Sequence, residues 1–198
     1  TWGGSLVAFE ATFAEGRPLD AMWEVETANG GTAMVEGTTA VLAVGPSATS
    51  YILAKLDPEP DVREKWWLPL GLATQERNEV ARWRIAIDRT GGYLVVTETG
   101  NLLIQAVPYG IHITYPDASK KASGNEIQSQ ATLDGKMHDW VLARGRDELK
   151  LTIDGVDVWK TTQQGPIRQL KIGETKRDAA HGGTIRVEKA SFRREIAR

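Results

Sequence analysis

The chain has 198 residues, of which 41% are hydrophobic, enough for one domain with a sizeable core. Its 24 basic and 26 acidic side chains give a formal net charge of -2, which excludes the strongly basic surface of a general nucleic-acid-binding protein. There is no cysteine, so disulfides, thiolate metal sites and cysteine nucleophiles are excluded as well.

The sequence contains no apolar run of the roughly 18 residues that a membrane-spanning helix needs. It begins with Thr1 rather than methionine. We therefore expect a mature or excised fragment of an exported protein, located outside the cell or in the periplasm. Such a fragment could be one part of a larger multidomain protein.

The first third of the chain is predicted to form short β-strands separated by glycine-containing turns. Glu24 and Glu26 should share one face of a strand. Trp23 and Val25 should share its other face, because successive side chains of a strand alternate. Further strands are expected at residues 5–14, 32–35, 39–44 and 50–56.

Residues 57–79 are predicted to form the one long irregular segment, and long loops in compact domains are often functional. The segment contains the adjacent pair Trp66 and Trp67. An exposed tryptophan could offer an apolar platform for a sugar ring. The alternative is that both side chains cap the core under the loop.

Strand patterns return after this segment. Trp83, Ile85 and Ile87 are expected to face the core. Arg82 and Arg84 would then share the opposite face, where they could bind an acidic sugar or pair with acids on a neighbouring strand. Further strands are expected at residues 93–99, 102–107, 110–115, 125–133 and 137–143, with a polar loop at 116–124.

Residues 137–160 predict a three-stranded antiparallel meander. Leu149, Leu151 and Ile153 alternate with polar residues, the pattern of a strand buried on one face. Asp154-Gly155 then favours a two-residue turn that needs positive φ. The residues of the preceding strand that should share one face are His138, Trp140 and Leu142.

About fourteen short strands and no convincing amphipathic helix predict an all-β sandwich. There is no repeat of fixed period and no interdomain linker, so residues 1–198 should form a single domain. The tryptophans that fit strand positions in its core or at its edges are Trp2, Trp23, Trp83, Trp140 and Trp159.

The C-terminal third resembles a known family. The segment L-K-L-T-I-D-G-V-D-V from Leu149 is followed by L-K-I-G from Leu170 and G-G-T-I-R-V from Gly182. These motifs are similar to the late strands of concanavalin A-like domains, including laminin G-like modules. The resemblance implies a jelly-roll β-sandwich of two antiparallel sheets, often sugar-binding or adhesive and sometimes a glycoside hydrolase or lyase.

The same resemblance implies Ca²⁺ as a candidate cofactor, because many members of this family hold Ca²⁺ through carboxylates and backbone carbonyls. Oxygen ligands suit this hard cation. Solvated loop acids are the alternative. The acids that could provide such a site are Asp57, Glu59 and Asp61.

Residues 125–130, with the sequence N-E-I-Q-S-Q, are the main candidate for a binding face. On a strand, Glu126, Gln128 and Gln130 would share one face. Amides donate and accept hydrogen bonds and a carboxylate accepts them, so this row could hold sugar hydroxyls. A solvated sheet face is the alternative. The residues expected near the row are Arg82 or Arg84 and one of Trp66 and Trp67.

The row also resembles the E-x-D-x-x-E strand of laminarinase-type hydrolases, in which Glu126 would be the acid/base. Gln128 and Ala131 stand where that motif has its other acids. Retaining hydrolysis needs two carboxyl groups about 5 Å apart, so another strand would have to provide the second. The candidates for it are Glu24, Glu26 and Glu98, and a lyase would instead need a base such as Tyr115 or His112.

We therefore predict a non-catalytic glycan-binding or adhesion module that recognises its ligand on a sheet face. A glycoside hydrolase or polysaccharide lyase of the same fold is the first alternative. The second is a structural or assembly domain of a larger surface protein, which would expose an apolar patch or an edge strand instead of a polar face.

Overall fold

The computed structural model describes residues 5–19, 23–56, 77–100, 102–116, 122–127, 133–145, 148–162, 167–176 and 178–196. These residues form fifteen β-strands and no α-helix, and so provide no helix that could cross a membrane. The strands are β1 (Ser5–Thr12), β2 (Glu24–Ala28), β3 (Thr32–Glu36), β4 (Thr39–Val44), β5 (Thr49–Lys55), β6 (Arg77–Arg89), β7 (Leu94–Glu98), β8 (Leu103–Val107), β9 (Gly110–Pro116), β10 (Ala122–Ile127), β11 (His138–Arg144), β12 (Leu149–Ile153), β13 (Val156–Thr161), β14 (Gln169–Glu174) and β15 (Gly183–Ile196).

The strands make two antiparallel sheets, which confirms the predicted all-β sandwich. The first sheet has eight strands in the order β13-β12-β11-β6-β15-β4-β3, with β1 also paired to β15. The second sheet has seven strands in the order β10-β9-β8-β7-β14-β5-β2. β15 pairs with β6 over its whole length and divides its other edge between β4 and β1.

The hydrophobic core lies between the sheets, because alternate residues of each strand are buried against the opposite sheet. Trp83 of β6 and Trp140 of β11 stack with their ring centroids 6.2 Å apart. Ile104 and Ile113 of the second sheet belong to the same core cluster and are fully buried. The expected core tryptophans that are indeed buried are Trp23, Trp83, Trp140 and Trp159, while Trp2 lies outside the described residues.

The predicted meander is confirmed, since β12 pairs with both β11 and β13. Asp154 and Gly155 form the turn between β12 and β13 with φ values of 49° and 79°. Both angles are positive, as a two-residue hairpin turn requires. Trp140 and Leu142 are buried on one face of β11.

The structure corrects two predicted boundaries. β6 begins at Arg77, so the end of the expected loop at 57–79 is strand, and Glu79 is fully buried there because arginines neutralise it. β10 begins at Ala122, within the expected polar loop at 116–124. Both strands begin with charged or small polar residues, so their first residues show no hydrophobic alternation that would predict a strand. Residues 57–76 lie outside the described part of the chain.

Candidate functional site

A band of polar side chains crosses the outer face of the second sheet. Gln105 on β8 and His112 on β9 face each other in the ladder, and Thr114 follows two residues after His112. All three are half-buried. The residues that alternate with them are buried in the core: Ile104, Ala106, Ile111 and Ile113. We call Gln105, His112 and Thr114 the polar band.

The turn between β8 and β9, the two strands that carry the polar band, contains an aromatic residue. Val107 pairs with Gly110, so Pro108 and Tyr109 alone form the turn. Gly110 has φ of 145°, an angle that favours glycine. The Tyr109 side chain is 68% exposed, the largest exposure of any large hydrophobic residue in the described chain.

Gly124 of β10 leaves space for the imidazole of His112. A Cβ atom at this position would lie 2.5 Å from Cε1 of the His112 ring, closer than side chains tolerate. The ring therefore lies over the β10 backbone. The sequence analysis did not identify Gly124, Gln105 or Tyr109, because only the pairing of β8, β9 and β10 brings them together.

The predicted row at 125–130 is only partly within the described chain. Glu126 lies in β10, the edge strand of the second sheet, and pairs with His112. It therefore occupies the register position next to the polar band. The site residues predicted by the sequence that lie outside the described residues are Gln128, Gln130, Trp66, Trp67, Asp57, Glu59 and Asp61.

The structure does not bring Arg82 and Arg84 to this band. Both are on β6 of the first sheet, on the outer face, where they alternate with the buried Trp83. Arg84 binds two carboxylates, with its Nε 2.5 Å from Glu188 and its Nη1 3.0 Å from Asp139. The hydrogen bond with Glu188 and the charge of Asp139 raise the pKa of Arg84. Cross-strand pairing, one of the two expected roles, is thus confirmed for Arg84.

The carboxylates considered as a second catalytic acid lie far from β10. At about 4.8 Å per strand, Glu98 on β7 is roughly 14 Å from β10, and β2 forms the other edge of the sheet. Each of these acids also has a partner. Glu24 lies 2.9 Å from Lys55, and Glu98 lies 3.4 Å from Lys171.

The third of these acids, Glu26, accepts a hydrogen bond from the Tyr51 hydroxyl. This bond, with burial and the charge of Glu26, raises the pKa of Tyr51 to about 12. Lys171 lies over the Tyr51 ring, with its Nζ 4.9 Å from the ring centroid. Contacts thus link Glu26, Tyr51, Lys171 and Glu98 on the outer face, nearer to β2 than to β10.

The two bases considered for a lyase point in opposite directions. The Tyr115 ring packs edge-on against Trp159, with centroids 5.3 Å apart, and is part of the core periphery. His112 is on the outer face. Of the two, His112 alone is placed to meet a ligand on the polar band.

The other two histidines each lie close to carboxylates. His138 lies between Asp134 and Asp154. Nδ1 of the buried His181 is 3.3 Å from Oε1 of Glu174. Burial raises the pKa of Glu174, although backbone amides of Val95 and Lys176 donate to it. Within the described ranges, no group of three or more His, Asp or Glu side chains could hold a metal ion.

An apolar groove of about 550 Å³ opens between the 16–19 turn and β2 and β3. Leu19, Val25 and Val35 line it, and Arg17 is the one charged residue among its described lining. The described lining of the groove lacks the converging donors and acceptors that fix a sugar ring. The polar band is therefore the stronger candidate for a glycan site.

No protein-family model and no curated protein matches the sequence. Solved structures do match the fold. A carbohydrate esterase from Shiga toxin-encoding bacteriophage phi24B aligns over 100% of both chains, with a TM-score of 0.61 and 14% identity. The receptor-binding domain of the botulinum neurotoxin C/D mosaic serotype aligns over 86% of this chain, with a TM-score of 0.53 and 12% identity.

A third similar structure is from botulinum neurotoxin type C, whose cell entry depends on interaction with two ganglioside molecules. It aligns over 86% of this chain with a TM-score of 0.55 and 6% identity. The chain spans less than half the length of these neurotoxin domains, 43% in both cases. At such low identity the matches show the fold alone, an all-β sandwich.

Proposed function

We propose that this chain is a non-catalytic glycan-binding or adhesion module of the concanavalin A-like class, exported from the cell. The observation that carries the proposal is the polar band on a regular sheet face, with the exposed Tyr109 in the turn that joins its two strands. The fold supports it by analogy, since the similar structures include a ganglioside-dependent toxin and a carbohydrate esterase.

The chemistry of the band fits a sugar. The Gln105 amide can donate and accept hydrogen bonds, and the Thr114 hydroxyl can do the same. Among the described residues, neither side chain has a hydrogen-bond partner, so both can bind a ligand hydroxyl without breaking a bond. The Tyr109 ring offers the apolar surface on which a sugar ring stacks. Glu126 would extend the band by its register position opposite His112.

The test is a glycan-array screen of the wild-type domain beside Gln105→Ala and Tyr109→Ala. We expect each substitution to weaken binding about tenfold or more, as loss of a central contact does. Gln169→Ala is the matched control, because Gln169 lies on β14 of the same sheet, away from the band. The proposal would be contradicted if the wild type bound no glycan on a broad array, or if the control lost as much binding as the two variants.

The same screen distinguishes the alternatives. Conversion of a bound glycan to product would favour a hydrolase or lyase, with Glu126→Ala as the first variant to examine. Loss of glycan binding in the presence of a chelator would favour the Ca²⁺ site predicted at Asp57, Glu59 and Asp61. Binding of a protein partner by a domain that ignores glycans would favour an assembly role.

A further inference from the structure

The strand β3 lies at one end of the first sheet and has a free edge. It pairs with β4, and no other strand of the described chain pairs with its second side. A two-residue turn joins β3 to β4, so the residues that flank it, Glu36 and Thr39, form a hydrogen-bonded pair of the ladder. Such pairs alternate along an antiparallel ladder. The backbone N–H and C=O groups of Ala33 and Val35 therefore point away from β4.

These free backbone groups border the apolar groove between β3 and the 16–19 turn. Ala33, Met34 and Val35 all line the groove, although successive side chains of a strand point to opposite faces. The groove therefore follows the backbone edge of β3 and does not lie over one face of the sheet. Pro18, on the facing turn, has no N–H with which to pair with this edge.

The size of the groove fits a short extended peptide. Its volume is about 550 Å³. A strand residue occupies roughly 160 Å³, from a rise of about 3.3 Å, a strand spacing of about 4.8 Å and a sheet spacing of about 10 Å, so the groove accepts about three or four residues. A second copy of the chain fits less well, because it would bring the rest of its own sheet against the 16–19 turn.

A smaller apolar cavity of about 80 Å³ adjoins the groove and has room for one side chain. Phe13 and Trp23 line this cavity and stack with their ring centroids 6.3 Å apart. When a peptide adds to a sheet as a strand, main-chain hydrogen bonds give affinity and such cavities select its alternate side chains. The residues that line both the cavity and the groove are Arg17, Pro18, Leu19 and Val35.

Arg17 is the one charged residue among the described lining of the groove and the cavity. Its side chain is exposed, and it forms no ion pair with another described residue. The two acids on β2 are bound to partners on β5. Glu15 and Glu36 are exposed and line neither space. A carboxylate on a bound peptide would form a charge-assisted hydrogen bond with the Arg17 guanidinium.

We propose that the free edge of β3 binds an extended apolar segment of a partner protein, which adds to the first sheet as a strand and carries a carboxylate for Arg17. The free N–H and C=O groups of Ala33 and Val35 require acceptors and donors, which a peptide provides and a lipid chain does not. This inference goes beyond the proposed function and uses a separate surface, because the polar band lies on β8 and β9 of the second sheet.

The test selects binders of the wild-type chain from a library of random heptapeptides. We expect the selected sequences to alternate apolar residues with others and to contain a carboxylate. A synthetic peptide of such a sequence should protect the amides of Ala33 and Val35 from hydrogen exchange. N-methylation of one of the two alternating sets of peptide amides should abolish binding, because that set donates to β3.

Val35→Pro removes one free N–H of this edge and should weaken peptide binding about tenfold. Asp157→Pro is the matched control, because Asp157 has the same position beside a two-residue turn on β13, at the other end of the same sheet. The control should keep its peptide affinity within about twofold. Arg17→Gln changes only an exposed side chain and should weaken binding about threefold or more, so the test does not depend on the folding of Val35→Pro.

Three results with the peptides would overturn the proposal: no peptide is selected, the control loses as much affinity as Val35→Pro, or binding persists after N-methylation of either set of amides. Unchanged affinity in Arg17→Gln would remove the carboxylate from the proposal and so overturn it as stated. A concentration-dependent dimer of the wild type that Val35→Pro abolishes would overturn it as well, because the edge would then pair with a second copy.

Discussion

At the scale of single residues, His138 is held by a carboxylate on each ring nitrogen. Its Nδ1 lies 2.5 Å from Asp154, and its Nε2 lies 2.9 Å from Asp134. Burial lowers the pKa of His138, but the hydrogen bonds with Asp154 and Asp134 outweigh burial and raise it. The same bonds lower the pKa of both carboxyls. Because both carboxylates can only accept, the imidazolium is the form that satisfies both bonds.

We expect the hydrogen bonds of His138 with Asp134 and Asp154 to stabilise the fold in a defined pH window. The contribution of His138 is fully present below its unfolded pKa of about 6.5 and is lost as the pH rises through the raised folded pKa. The contribution of the two carboxyls is present above their unfolded pKa of about 3.9 and is lost as the pH falls through the lowered folded values.

The measurement is the free energy of unfolding of wild type and His138→Gln across this range. The difference in unfolding free energy between the two proteins should be on the order of 1 kcal/mol near the middle of the window, since His138, Asp134 and Asp154 are all partly exposed. It should shrink on the alkaline side of the folded pKa of His138. A difference that does not change with pH would show that His138 contributes by packing alone.

At the scale of elements, β14 contains a glycine whose Cβ position is already occupied by the backbone of the paired strand. Gly173 has φ of 114°. A Cβ atom there would lie 2.3 Å from the carbonyl oxygen of Ser50 and 2.9 Å from Cα of Tyr51, both on the paired strand β5. Both contacts are to backbone, which cannot move without breaking the pairing of β14 and β5.

We expect Gly173→Ala to cost about 3 kcal/mol or more, because backbone strain and a backbone clash add. Gly37→Ala is the control. Its φ of 60° carries similar strain, but no atom lies within 4 Å of the added Cβ, so it should cost only about 1 kcal/mol. Urea unfolding of both variants measures these values. Equal costs would mean that β14 shifts to accept the methyl group.

The sequence predicted most strands and turns, because local alternation and glycine positions carry that information. Asp154-Gly155 and the alternation in β12 are examples. The candidate site was less predictable. Glu126 was recognised from its own segment, but Gln105 and His112 became neighbours only through the β8–β9–β10 pairing. Arg82 was expected near Glu126, and no local pattern shows that their strands belong to different sheets.

At the scale of the whole molecule, a buried ion cluster links the two sheets. Glu79 of β6 accepts from Arg194 of β15 at 2.6 Å and from Arg144 of β11 at 3.0 Å. Its carboxylate also accepts from the backbone N–H of Ile167 at 2.9 Å, and Arg194 donates to the carbonyl of Ile167. Ile167 lies two residues before β14 of the second sheet, so β6 and β15 of the first sheet are bonded to the segment that leads into the second sheet, and β11 is linked to it through Glu79.

We expect Arg194→Met to destabilise the protein by about 3–5 kcal/mol, because it leaves the buried Glu79 carboxylate without its closest cation. Arg186→Met on the same strand is the matched control, and it should change stability by no more than about 0.5 kcal/mol because Arg186 is exposed. The double variant Glu79→Leu with Arg194→Met should be more stable than Arg194→Met alone, since the fully buried carboxylate that has lost its closest cation is then removed as well. Thermal and urea unfolding of the four proteins measure these differences. If the double variant is the least stable, the cluster stabilises the fold through its bonds to Ile167 more than through charge compensation.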